Sequence, residues 1–157
     1  MAASRASYYT YRTALGPLTI GTDGGAVTAV ALGAQRLAGA CEPSPLSNRC
    51  ATELQEYFAG KRMAFDLPLA ARGTDFQRRV WNALEAIPYG QTRTAADVAA
   101  LLGKPDSARA VGVAVRKNPI AVLVPAHRVV TARGTINGSD RSAELRRACL
   151  RLEQGAS

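Results

Sequence analysis

Residues 94–116 read TAADVAALLGKPDSARAVGVAVR, two helical patterns separated by a short turn. Thr94 followed by Asp97 is a typical helix start, because the two side chains can cap the free backbone amides of the first turn. Gly103 ends this helix, and a second is predicted over about residues 106–116. Two helices joined by so short a turn indicate a helix-turn-helix.

A third helix is predicted immediately upstream of this motif. Thr74 and Gln77 form a plausible capping box at its start, and Pro88 ends it. One face of the helix is apolar, with Phe76, Val80, Leu84 and Ile87 at helical spacing. Cys149 lies in a further predicted helix near the carboxyl terminus, where a buried structural thiol is expected.

The first 72 residues have a different pattern. β-favouring runs alternate with glycine-containing turns and predict an antiparallel meander. The predicted elements are strands at 8–15, 18–21 and 26–32, a helix at 46–58 and one more strand at 64–69. The expected fold class is therefore α+β, with a small β-meander and helix domain at 1–72 packed on a helical domain at 73–157.

Composition narrows the functional classes. The chain is 47% hydrophobic, and no apolar run approaches the length of a membrane span. Its first ten residues have no basic segment leading into an apolar stretch, so no signal peptide is expected. These features predict a soluble cytoplasmic protein that binds no membrane, and we expect a monomer.

The net charge of +8 is unevenly placed. Residues 101–157 carry ten Lys and Arg against four Asp and Glu, whereas residues 1–70 carry six against five. The basic carboxyl-terminal half suits an anionic partner such as the DNA backbone. Arginine-rich surfaces also arise from genome composition and solubility, so charge alone leaves both explanations open.

Metal and disulfide chemistry have little support. The three cysteines Cys41, Cys50 and Cys149 cannot all pair, and they lack the Cys-x-x-Cys spacing of metal sites. His127 is the only histidine, which excludes a site with several histidine ligands. We expect reduced cysteines and no metal or other cofactor.

Residues 124–129, Val-Pro-Ala-His-Arg-Val, carry a resemblance to a known family. They are similar to the Pro-Cys-His-Arg-Val segment of the O6-alkylguanine-DNA alkyltransferases, and the resemblance extends from about Gly73 to Glu153. Further matching stretches, in order, are Gly73–Gln77, Val80-Trp81, Ile87–Gly90, Thr92, Ala108–Gly112 and Asn118–Ile120. The first 72 residues fit the family only loosely.

The family's reactive cysteine corresponds to Ala126. A methyl side chain has no lone pair, so it cannot accept an alkyl group from guanine. Two further departures occur in the same region. Ala95 stands where the family usually has a tyrosine that helps to rotate the nucleotide, and Ser139 replaces a tyrosine of the lid over the alkylguanine pocket.

The resemblance implies that residues 107–116 enter the DNA minor groove and that Arg109 fills the gap left by a flipped-out nucleotide. The small residues of this helix fit an ordinary, tightly packed core helix equally well. The other implied DNA-binding residues are Ala95, Ala96, Ser107, Ala108, Ala110, Gly112 and Arg116.

The resemblance also assigns roles around position 126. His127 and Glu153 match the relay that ionises the family cysteine, and Asn118 matches an asparagine that braces the preceding turn. Arg128 is either a charge support for DNA or a buried structural arginine. The implied lesion pocket comprises Val124, Pro125, Ala126, Ser139, Asp140 and Arg141.

The favoured function is therefore non-catalytic recognition of alkylated guanine, as in the alkyltransferase-like proteins. The partners would be double-stranded DNA containing alkylated guanine and possible excision-repair proteins, for which the protein marks the lesion. Three alternatives stay open: an active-site Cys-to-Ala mutant of an alkyltransferase, a lesion hydrolase that uses His127 and Glu153, and a helix-turn-helix module for gene regulation.

Overall fold

The computed structural model describes residues 5–155. The chain divides into two compact units, Met1–Arg72 and Gly73–Ser157. The first unit contains a sheet and one long helix, and the second is mainly helical. The predicted α+β fold class is confirmed.

The first unit is built on a four-stranded sheet in the order β3-β2-β1-β4. The strands β1, β2 and β3 form the predicted antiparallel meander, and β4 is parallel to β1. Gly24 and Gly25 adopt positive φ angles of 61° and 91° between β2 and β3, a conformation that side chains with a Cβ rarely adopt. The strands are β1 Ser7–Thr13, β2 Gly16–Asp23, β3 Ala26–Leu32 and β4 Ala40–Cys41.

One helix, α1 (Pro45–Phe58), packs on this sheet. Ser44 caps its first turn, and Leu54 and Tyr57 are fully buried with strand residues Leu18 and Ile20. The apolar side chains of helix and sheet thereby form the core of this unit.

The predicted strand at residues 64–69 does not form. Leu69 makes only an isolated parallel bridge to Val27, through Val27 N–H to Pro68 O at 2.8 Å and Ala70 N–H to Val27 O at 2.9 Å. Pro68 has no backbone N–H to donate to a ladder, which keeps the pairing short.

The second unit contains the predicted helix-turn-helix. Its elements are α2 (Asp75–Glu85), β5 (Arg93–Thr94), α3 (Ala95–Leu101), α4 (Ala108–Arg116), β6 (Val129–Val130) and α5 (Arg141–Glu153). The capping boxes predicted at Thr74 with Gln77 and at Thr94 with Asp97 are both present. Strands β5 and β6 pair in parallel.

The helix α4 begins two residues later than predicted. Residues Pro105–Ser107 form a 3-10 turn, in which Ser107 N–H donates to Lys104 O at 2.9 Å. The tighter turn connects Pro105 to the α-helix that starts at Ala108. Trp81 holds α4 against α2, because its buried indole N–H donates to Ala114 O at 2.9 Å.

Candidate nucleic-acid interface

Helix α4 has one buried and one exposed face. Val111, Ala114 and Val115 are buried, whereas Arg109 and Arg116 are exposed. The exposed face therefore combines positive charge with small neighbours, and a polyanion could approach its backbone closely.

Gly112 lies beside this face, and packing within the chain does not require it. A Cβ added there would meet only Arg116 Nη1 at 3.7 Å, which is an ordinary van der Waals distance. Glycine inside a helix costs roughly 1 kcal/mol relative to alanine. The explanation of a tightly packed core helix consequently fails at this position, and the open space favours the approach of an external molecule.

A cavity of about 370 Å³ lies on one side of α4, and we call it the α4 groove. Its walls come from the start of α3, from α4, from β6 with the segment that follows it, and from α5. The lining residues are Thr94, Ala95, Ala96, Gly112, Val115, Arg116, Val129, Val130, Thr131, Ala132, Thr135, Ile136, Asn137 and Arg146.

Four residues predicted to bind DNA line this groove: Ala95, Ala96, Gly112 and Arg116. Sequence reasoning missed the contribution of Thr131, Ala132, Thr135, Ile136, Asn137 and Arg146. No local pattern could have revealed them, because these residues approach α3 and α4 only through tertiary folding.

Arg109 lies on a different depression, of about 600 Å³. That depression is lined by Ser107 of the preceding 3-10 turn, by α4 residues Arg109 and Ala110, and by the first turn of α2, including Phe76. Helix α4 thus presents Arg109 on one side and Gly112 with Arg116 on the other. Ala108, also predicted to bind DNA, is partly exposed at the first residue of α4.

The predicted lesion-pocket residues are not among those that line the α4 groove. Val124, Pro125 and Ala126 are buried, and Ser139, Asp140 and Arg141 are exposed. Asp140 instead caps α5, where its carboxylate accepts a hydrogen bond from Ala143 N–H at 3.3 Å. Its place at the pocket was inferred from the family's lid and stays a prediction, while the structure shows the local capping role of the acid.

Glu153 is the centre of a buried charge cluster beside position 126. Its Oε2 lies 2.6 Å from His127 Nε2, and its two oxygens accept bonds of 2.7 and 2.9 Å from Arg128. Gly90 N–H donates to Oε1 at 3.1 Å. Arg128 also donates to Ile87 O at 2.6 Å, so it is a buried structural arginine with a bidentate partner.

His127 is held in the neutral form. Burial lowers the pKa of His127 because desolvation disfavours the imidazolium, while Glu153 opposes this shift and Arg128 reinforces it. In the neutral ring, Nε2–H donates to the Glu153 carboxylate, which selects one tautomer.

We expect the stability of the protein to fall as the pH drops below about 6.5. The unfolded chain then protonates His127 while the native state resists the same proton, so the unfolded state binds more protons and gains relative stability. The measurement is the urea midpoint at pH 7.5 and 5.5. His127→Gln should flatten this part of the profile, and an unchanged slope would contradict the assignment.

Asn118 braces the segment that leads to Ala126. Its Nδ2 donates to Ile120 O at 3.2 Å and to Val124 O at 2.9 Å, and its Oδ1 accepts from Ile120 N–H at 3.0 Å. Within the same loop Val122 adopts a φ of 70°, which is strained for a β-branched residue. Asn118 thus closes a tight loop before Ala126, where the resemblance implies a bracing asparagine.

Comparison with known proteins decides the family. The pattern described as "6-O-methylguanine DNA methyltransferase, DNA binding domain" matches residues 75–155, and that of the ribonuclease-like domain of the same proteins matches residues 7–71. The chain belongs to the 6-O-methylguanine DNA methyltransferase family.

Individual relatives agree with this assignment. A methylated-DNA–protein-cysteine methyltransferase of Mycobacterium tuberculosis is 41% identical over 152 residues, which cover 94% of this chain and 92% of the relative. One from Methanosarcina acetivorans is 48% identical over 101 residues, covering 64% of this chain and 65% of that protein. The match to the archaeal protein thus spans about two thirds of its length.

Solved structures show the same methyltransferase fold. The M. tuberculosis O6-methylguanine methyltransferase has a TM-score of 0.87 at 39% identity, covering 97% of this chain and 94% of the other. M. tuberculosis OGT in complex with DNA has a TM-score of 0.86 at 40% identity, covering 95% and 93%. The resemblance of the carboxyl-terminal half to this family is confirmed, and it extends through the first domain.

Within this methyltransferase-family fold, the described residues include no group of three or more His, Cys, Asp or Glu side chains placed to hold a metal ion. No helix in the described part of the chain is long and apolar enough to cross a membrane.

Proposed function

We propose that this chain binds double-stranded DNA containing alkylated guanine and does not take up the alkyl group. It would be an alkyltransferase with alanine at the position of the nucleophile. The observation that carries the proposal is the complete cluster of Glu153, His127 and Arg128, together with the Asn118 brace, around a residue 126 that has no nucleophilic atom.

The comparisons favour this version of the function over the one preferred from sequence. The full-length relatives are named as methyltransferases, so they support a Cys-to-Ala form of an alkyltransferase better than a separate class of non-catalytic proteins. Recruitment of excision-repair proteins stays a prediction.

DNA binding by the α4 face is supported by its charge and its open geometry. Arg109 and Arg116 are exposed, and the space at Gly112 lets another molecule approach the helix backbone. A relative covering nearly the whole chain has been solved in complex with DNA. We infer that α4 lies in the minor groove and that the helix positions the protein through phosphate contacts.

Nucleotide flipping follows from the chemistry of the lesion. A stacked guanine cannot present its O6 substituent to a protein cavity, so the nucleotide must leave the helix at a cost of a few kcal/mol. Arg109 would stack in the vacated space, while the α4 groove on the other side of the helix, whose wall includes Val129 three residues after Ala126, would receive the extruded base. Its volume of about 370 Å³ is within the range of small-molecule sites.

The hydrolase alternative is weaker. Both Glu153 oxygens accept hydrogen bonds from Arg128, so the carboxylate could act on a water molecule only through His127. The pair of His127 and Glu153 is also part of the family scaffold, so its presence does not by itself indicate a hydrolase.

The proposal is tested by mixing the protein with duplexes that differ only in one O6-methylguanine. We expect preferential binding to the modified duplex and an unchanged intact mass of the protein. A mass increase equal to one methyl group would contradict the absence of transfer. Equal affinity for both duplexes would contradict lesion recognition and favour a general DNA-binding module.

Arg109→Ala is expected to reduce the preference for O6-methylguanine DNA over unmodified DNA by about tenfold, because the side chain acts only after the nucleotide leaves the stack. Both affinities should be measured at one fixed salt concentration. Lys117→Ala is the matched control, since Lys117 is an exposed cation just after α4 that lines neither depression. It should leave the ratio unchanged, and an equal ratio in both variants would refute the role of Arg109.

A further inference from the structure

The α4 groove has an unusual charge distribution. Of its fourteen lining residues only Arg116 and Arg146 are charged, and both are cationic. Val115, Val129 and Ile136 supply apolar walls, and no acidic side chain lines the groove. A cavity of this composition favours a ligand that combines an apolar part with a negative group.

Arg146 is the less exposed of the two arginines. It projects from α5 and is half-buried, and its Nε donates to Ser142 O at 3.3 Å. Within residues 5–155 its terminal Nη1 and Nη2 groups make no hydrogen bond or ion pair within standard distances. Burial lowers the pKa of Arg146, and the charges of Arg116 and Arg147 act in the same direction, against Asp140. The guanidinium stays protonated, so a partly desolvated cation faces the groove.

The wall opposite α4 is held in place by the neighbouring arginine. Arg147 Nη1 donates to Ile136 O at 2.9 Å and to Gly138 O at 2.8 Å, which ties the segment before α5 to that helix. Arg146 and Arg147 therefore divide their roles: one is committed to backbone carbonyls, and the other keeps its terminal donors available.

We propose that the α4 groove prefers guanine adducts whose O6 substituent ends in an anionic group, such as a carboxylate on a short alkyl chain, and that Arg146 binds this group. The inference rests on the proposed function, because the base must enter the groove. A guanidinium binds a carboxylate through two parallel hydrogen bonds, and the partly buried setting strengthens such a pair.

A DNA phosphate is the other anion that Arg146 could bind. Its position disfavours this source, since Arg146 lies half-buried on a wall shared with Ile136, whereas Arg109 and Arg116 are exposed and suited to the phosphate backbone. A phosphate contact would strengthen binding to every duplex equally. A contact to the substituent affects only the anionic adduct.

The test compares three duplexes of identical sequence at one salt concentration. They carry O6-carboxymethylguanine, its neutral isostere O6-carbamoylmethylguanine, or unmodified guanine. We expect the carboxylate to bind about tenfold more tightly than the amide. Arg146→Gln should reduce this ratio to about one. Arg151→Gln, an exposed arginine of α5 outside the groove, should leave it unchanged.

Each alternative has its own outcome. If Arg146→Gln weakens binding to all three duplexes equally, its anion is a DNA phosphate and the proposal is overturned. If both adducts bind equally well and more tightly than unmodified DNA, the anionic preference is wrong while lesion recognition stands. If no adduct is preferred over unmodified DNA, the proposed function itself fails. Arg146→Lys serves as the conservative variant and should keep part of the ratio.

Discussion

Ala126→Cys is expected to convert the protein from one that transfers no alkyl group into one that accepts one methyl group per molecule from O6-methylguanine DNA. The surrounding machinery is in place, because His127 and Glu153 are 2.6 Å apart and Asn118 holds the preceding loop. A thiol beside this pair can be ionised, whereas alanine has nothing to ionise. The measurement is intact mass after incubation with the modified duplex.

Two controls separate reactivity from volume. Ala126→Ser places a hydroxyl oxygen about where the cysteine sulfur would lie. Because a hydroxyl is a poor nucleophile, no transfer is expected. Cys41, Cys50 and Cys149 serve as internal controls, because a methyl group found on any of them would show non-specific alkylation. If Ala126→Cys binds modified DNA yet never becomes methylated, Ala95 or Ser139 has removed a group needed to present the substrate.

The second large effect concerns stability. Arg128→Met is expected to lower the free energy of unfolding by about 3–5 kcal/mol, because it leaves the carboxylate of Glu153 buried without its bidentate cation. His127 and Gly90 N–H still contact the carboxylate, but neither is a permanent positive charge. Urea unfolding of the two proteins at neutral pH measures the difference.

The matched control is Arg151→Met, which removes an exposed arginine from the same region and should change stability by less than about 0.5 kcal/mol. The double variant Arg128→Met with Glu153→Leu should lose less stability than the two single losses combined, since it removes the uncompensated charge. An Arg128→Met loss no larger than that of Arg151→Met would show that the cluster does not stabilise the fold.

The sequence by itself determined the local features of this protein. The capping boxes at Thr74 and Thr94 join residues only three positions apart, so short-range hydrogen bonding specifies the helix starts almost independently of the rest of the chain. The meander is similarly local, because its strands alternate with tight turns. The absence of a nucleophile at Ala126 follows from the residue type alone, once the resemblance places the family's cysteine at that position.

Only the tertiary structure decided how distant residues combine. Glu153 meets Arg128 and Gly90 across 25 and 63 positions, and the sequence left open whether Arg128 was structural. The α4 groove is another such case, because Arg146 of α5 and Ile136 line it together with residues of α3 and α4. Side-chain periodicity shows which face of a helix is apolar, but the partner of that face depends on how the elements pack together.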